Sequence, residues 1–188
     1  MNAHTSLSRV AAYAALFTAA LLMVPLLAMQ FGNANWGAGD FVIAGALLFG
    51  TSFVFGLAMR AAGSIAHRVA AGLALFGGLF LVWSSLAVGL VGSSGEPVDL
   101  LYAAVLAVGI IGTIIVRYRP AGMARTLFAT AAAHAVITTI VLLLVDRIPS
   151  ASPPAVLVRV NALFVLLFVG SGLLFRYAAR SRPAAQAA

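Results

Sequence analysis

Cysteine is absent from the 188-residue chain. That removes disulfides, thiolate metal sites, covalently attached haem and a cysteine nucleophile, and it leaves the redox compartment unread. Lysine is absent too, since all eleven basic residues are arginine. No Schiff base to retinal or pyridoxal phosphate can therefore form. Acid is scarce: the four carboxylates are Asp40, Glu96, Asp99 and Asp146, and none falls inside an apolar run. Carboxylate-driven coupling to protons or sodium ions has little support in such a pattern. Charged residues make up 8% of the chain, against about 25% in a soluble domain.

What is present is hydrocarbon. Hydrophobic residues account for 63% of the chain, and the mean hydropathy is +1.11. A water-soluble fold of this length cannot bury so much apolar surface, whereas a bilayer accepts it unburied. The net charge of +7 raises the question of nucleic acid. The arginines, however, stand singly between apolar runs and make no basic face, which excludes that partner.

Six apolar runs are long enough to cross the membrane: Val10–Met29, Phe41–Met59, Val69–Val91, Leu100–Val116, Thr126–Val145 and Ala155–Phe175. About 20 helical residues span a hydrocarbon core of ~30 Å. The first run could alternatively be a signal peptide cleaved near Ala28, but it is longer than a usual apolar region of that kind. Asp40 and Asp99 read as the residues that start the second and fourth spans. Pro120 and Gly122, flanked by Arg117, Arg119 and Arg125, read as a connecting loop, and the tail at 177–188 as a basic, Ala-rich extension. With the N-terminus in the cytoplasm, nine arginines fall inside and only Arg147 and Arg159 outside, together with all four acids. The positive-inside rule then places both termini in the cytoplasm.

Arginines close three stretches of equal length, 9–60, 68–119 and 125–176. The first two align without a gap: RVAAYAALF at Arg9–Phe17 lies over RVAAGLALF at Arg68–Phe76, and Asp40 over Asp99. The third keeps the arginines and the length but not the acid. The expected fold is an all-α bundle of six transmembrane helices, a single membrane domain over 1–188 built from three tandem helical hairpins.

Two groups of residues could carry chemistry. His134 is the only histidine in the middle of a span, and it stands among Thr126, Thr130 and Thr138 at steps of four on one helix face. Ionisable groups in spans are functional candidates by default. Thr18 and Ser52 fall at similar depth, so His134, Thr130, Thr138, Thr18 and Ser52 define a candidate polar layer. The plainer and favoured reading is a neutral imidazole hydrogen-bonded between helices. At the outer side Asp40, Glu96 and Asp99 could form an acidic mouth that attracts cations; helix caps and solvated loop charges are the plainer reading. Trp83, Ser84 and Ser85 interrupt the third span. Small pairs four apart, Ala46/Gly50, Ala74/Gly78 and Gly109/Thr113, permit close helix contact. One histidine cannot ligate haem on both faces, and a metal site needs more ligands than these. No nucleophile–base pair, phosphate loop or HExxH motif is present.

Three segments, NWGAGDF, WSSLAVGLVGS and LYAAVLAVGIIGTIIVRYRPAGMARTLFAT, resemble a family of uncharacterised bacterial multi-pass integral membrane proteins. The resemblance runs from the first span to the fifth. It implies a bacterial inner membrane and supplies no activity, cofactor or site. In that pattern amides are usual where Ser85 and His134 stand, a departure that favours hydrogen-bonding glue over histidine chemistry. The expected function is non-enzymatic: a scaffold, an accessory subunit or part of an oligomer, with the lipid bilayer and a membrane protein or second copy as partners. The alternative is a small permease or channel for a neutral or small solute.

Overall fold

The computed structural model describes residues 3–32, 35–92, 97–149 and 151–181. Glu96 lies outside them. The described residues form six α-helices: α1 (Ala3–Phe31), α2 (Ala38–Ala61), α3 (Ile65–Ala87), α4 (Leu101–Ile115), α5 (Pro120–Leu144) and α6 (Pro154–Arg180), with short 3-10 turns at Pro97–Leu100 and Val145–Arg147. All six, α4 with its preceding 3-10 turn included, are long and apolar enough to cross a membrane. Large apolar side chains point outward along every helix, among them Tyr13, Ile43, Val69, Ile114, Leu143 and Leu166. Contiguous apolar surface of that extent marks a lipid-facing chain, so this is a multi-pass membrane protein.

The helices begin and end where backbone chemistry dictates, and this shifts several of the expected boundaries. Asp40 does not cap α2. The helix starts at Ala38 with Gly37 as N-cap, and the Asp40 carboxylate reaches back to accept the Gly37 N–H at 2.8 Å. This is the acidic half of a capping box. Ser64 caps α3 by accepting the N–H of His67 at 3.2 Å. That helix stops at Ala87 rather than near Val91, because Gly89 takes φ 84° and turns the chain back. Pro120 and Gly122 are not loop residues. Pro120 opens α5 at a position where its missing N–H costs nothing, so the connection from α4 shrinks to 116–119. At the far end α6 continues to Arg180, well past the expected limit at Phe175.

That short connection is built as a Schellman motif. The Arg117 N–H donates to the Ile114 carbonyl at 3.2 Å and the Tyr118 N–H to the Thr113 carbonyl at 3.4 Å. The left-handed position that glycine usually fills is taken by Arg117 (φ 49°), and Tyr118 follows it there (φ 57°). Each such residue costs about 1–2 kcal/mol. The Tyr118 ring secures the turn by packing against His67 of α3 (5.1 Å between centroids) and Phe175 of α6 (6.1 Å).

The chain divides into two compact units, residues 1–62 and 63–188. In the first, α1 and α2 pack antiparallel. A Cβ on Gly56 would lie 2.6 Å from Val10 Cγ1, and one on Gly45 would lie 3.5 Å from Leu22 Cδ1. In the second, α6 lies between α3 and α5, and α5 between α6 and α4. The expected pairing of α3 with α4 as a hairpin is therefore not what closes this unit: α3 lies along α6, and α4 along α5. The reason is steric. Gly109 and Gly112 of α4 face Thr130 and Thr126 of α5, and a Cβ on Gly112 would come within 2.5 Å of Thr126 Cγ2. On α3, Gly77 receives Phe168 of α6, and Ser171 of α6 donates to the Ala70 carbonyl at 2.7 Å. Small residues let backbones approach, and hydrogen bonds then fix the contact.

Candidate functional site

The α5 face carrying His134 is buried because α4 and α6 close over it. His134 and Ser171 have no exposed surface, and Asn161 has 1%. His134 Nε2 and Asn161 Oδ1 of α6 are 2.9 Å apart. Asn161 Nδ2 donates to the Leu157 carbonyl at 2.9 Å, which leaves Oδ1 as the acceptor. His134 Nε2 must then carry the proton, and Nδ1 keeps a lone pair. Tyr102 of α4 lies against the imidazole (5.2 Å between centroids), with Phe164 at 5.4 Å and Phe168 at 6.3 Å. The ring is thus held by one hydrogen bond and three aromatic faces.

Counted from Pro120, His134 sits about 20 Å along α5, in the half nearer Asp146. Asn161, in the second turn of α6, and Tyr102, at the start of α4, belong to the same half. Two polar atoms there, His134 Nδ1 and Tyr102 Oη, have no hydrogen-bond partner among the described residues.

The threonines expected beside His134 divide by role. Thr130 and Thr138 turn their hydroxyls onto their own helix, donating to the carbonyls of Thr126 and His134 at 2.9 Å each. Thr126 and Thr130 are the ridge that seats α4. With their hydroxyls so engaged, Thr130 and Thr138 offer no free donor to a ligand. Thr18 is buried and Ser52 half-buried in the first unit.

The acids expected at an outer mouth have different surroundings. Asp40 is exposed and engaged with Gly37. Asp99 is buried, at 8% exposure. Its Oδ1 accepts the N–H of Leu90 at 3.1 Å and of Val91 at 3.2 Å, and the Val91 carbonyl accepts the N–H of Ser152 at 2.7 Å. Asp99 therefore sits within the 3-10 turn before α4 and ties together the α3–α4 and α5–α6 connections. Carboxylates bound by backbone N–H groups in this way fix a loop.

Asn161 and Tyr102 were not anticipated from the sequence. A signal for Asn161 existed: it is the one asparagine inside an apolar run, and an amide in hydrocarbon needs a partner. Tyr102 carried none, since a tyrosine near a span end reads as an interfacial anchor. No three His, Cys, Asp or Glu side chains converge among the described residues. Fold and site together define an all-helical multi-pass membrane protein with a sealed polar core in its four-helix unit. Comparisons with models of protein families, with curated proteins and with solved structures find no match to this chain.

Proposed function

We propose that the protein is a non-enzymatic component of a bacterial inner membrane, a scaffold or accessory subunit that associates with a membrane-protein partner or a second copy, with both termini cytoplasmic. The observation that carries this reading is the closure of the core around His134. The one mid-span imidazole is fully buried, tied to Asn161 and walled by Tyr102, Phe164 and Phe168. A group so placed links α5 to α6 and α4, as polar residues do between membrane helices. Short connections and wide apolar faces on every helix leave the bilayer and other membrane proteins as the natural partners.

A second reading, a small permease for a neutral solute, draws on a specific observation: His134 Nδ1 and Tyr102 Oη are buried in one cluster without hydrogen-bond partners among the described residues. Buried groups of this kind cost about 1–3 kcal/mol each and are compatible with a passing hydroxyl or amide. Two measurements separate the readings. Purification of the tagged chain from membranes under mild detergent, without crosslinking, is expected to retain a stoichiometric partner or a defined oligomer. In proteoliposomes, flux of small neutral solutes is expected to equal that of empty vesicles. A flux that disappears in His134→Ala while the protein still folds sinks the scaffold reading.

A further inference from the structure

At the end of the four-helix unit opposite the His134 cluster, two adjoining clefts share one arginine. The first, about 490 Å³, is lined by Ile115, Val116, Arg117, Arg119, Gly122 and Arg125. The second, about 410 Å³, lies between α5 and α6 and is lined by Arg125, Phe128, Arg176 and Arg180 with small alanines. All five guanidinium side chains are exposed. The described acids of this unit, Asp99 and Asp146, lie at the other ends of α4 and α5, about 25–30 Å away along the helices. The clefts thus concentrate positive charge with no carboxylate nearby among the described residues of the same unit.

Three further features sharpen the ligand. The first turn of α5 opens into the first cleft without a side-chain cap on Arg119, so the N–H groups near Ala121 and Gly122 add the positive end of the helix dipole. The left-handed backbone at Arg117 and Tyr118 is retained where glycine would relieve it, and it sets the direction in which Arg117 leaves the turn. Apolar groups form the floor, Ile115 and Val116 in one cleft and Phe128 in the other, where each helix enters its hydrocarbon-spanning stretch. Guanidinium forks match phosphate oxygens, and basic pockets between membrane helices take lipid headgroups.

We propose that these paired clefts bind the phosphodiester headgroup of an anionic phospholipid, with Arg125 bridging both and the acyl chains lying along Phe128 and Ile115. The site needs only that the helices lie in a bilayer; it stands or falls apart from the scaffold reading.

The test uses the full chain purified in neutral detergent, with thermal unfolding as the readout. Phosphatidylglycerol added to mixed micelles is expected to raise the unfolding midpoint, and phosphatidylcholine is not. Arg125→Gln and Arg176→Gln should each raise the half-saturating phosphatidylglycerol fraction roughly fivefold, the loss of one near-surface arginine contact. The paired control Arg147→Gln/Arg159→Gln, at the other end of the helices, should leave it unchanged. Arg125→Lys, which keeps the charge and removes the fork, should fall between. The proposal is overturned if the two lipids act alike, or if the control variant weakens the effect as much as the cleft variants do. It is also overturned if inorganic phosphate alone gives the same stabilisation through the same arginines, which would make the site one for free phosphate.

Discussion

His134 and Asn161 are more informative as a pair than either is alone. An interhelical hydrogen bond in a membrane protein contributes about 0.6 kcal/mol on average, with a maximum near 1.7. Removing one partner also strands the other in hydrocarbon. His134→Leu and Asn161→Leu are each expected to lower stability by about 1–2 kcal/mol, and the double variant by less than the sum, because it strands nothing. A double-mutant cycle measured by denaturing-detergent titration checks this; strictly additive losses would mean that the 2.9 Å contact does not couple the helices. Tyr118 offers a different readout. Burial pushes its phenol from 10.0 up to about 12, so the neutral form is favoured in the fold. Below pH 10 both states are protonated and stability does not depend on this group. Between pH 10 and 12 the unfolded chain ionises first, and the stabilisation is progressively lost as pH rises through the folded value. Unfolding midpoints taken from pH 9 to 12 should therefore fall more steeply in the native chain than in Tyr118→Phe. Equal slopes would show that the ring is solvated.

Helices as elements were legible in the sequence; their ends and their neighbours were less so. Six apolar runs placed six helices, since a backbone in hydrocarbon must satisfy its own hydrogen bonds and a helix does so within one segment. The ends moved because apolar runs report where lipid is, whereas helices continue until capping chemistry stops them. Thus α5 begins at Pro120, six residues before its apolar run, and α6 runs on through Arg176 to Arg180. Neighbour choice was harder still. Of the small residues singled out, Gly109 meets α5, Gly78 touches only Leu106 Cδ2 at 4.0 Å, and Gly50 has nothing within 4 Å. Spacing alone cannot say which small residue faces a partner. Gly112 does, which gives a contrast between sites. Gly112→Ala is expected to cost about 1–3 kcal/mol by forcing α4 off Thr126, while Gly50→Ala should be neutral or slightly stabilising. Equal effects at the two positions would remove the tight α4–α5 crossing. At the turn, Arg117→Gly should raise stability by about 1 kcal/mol by relieving the left-handed backbone, despite losing an arginine; a loss of stability would mean that the side chain itself holds the turn.

At the scale of the molecule, the expected orientation in the bilayer follows from arginines whose positions the fold makes specific. Within the four-helix unit, Arg117 and Arg119 sit on the α4–α5 turn and Arg176 and Arg180 close α6. The packing of His67 on Tyr118 and Phe175 brings the start of α3, with Arg68, to that same end. Arg147 and Arg159 lie at the other, near Asp146 and the buried Asp99. The asymmetry is therefore a property of one packed unit and not only of a count along the chain. Translocating the crowded end would drag several guanidinium groups through hydrocarbon at about 2.5–3.5 kcal/mol each. Retaining it in the cytoplasm leaves only two to cross. Alkaline phosphatase fused after Ser152 is accordingly expected to be active in a bacterial host, and fused after Ser181 inactive; a fluorescent protein that matures only in the cytoplasm should give the reverse. Replacing Arg117, Arg119 and Arg125 together by glutamine should reduce the contrast without abolishing it, because Arg68, Arg176 and Arg180 still hold that end. Phosphatase activity after Ser181 in the unaltered chain would invert the assignment, and the arginine clefts would then face the opposite leaflet.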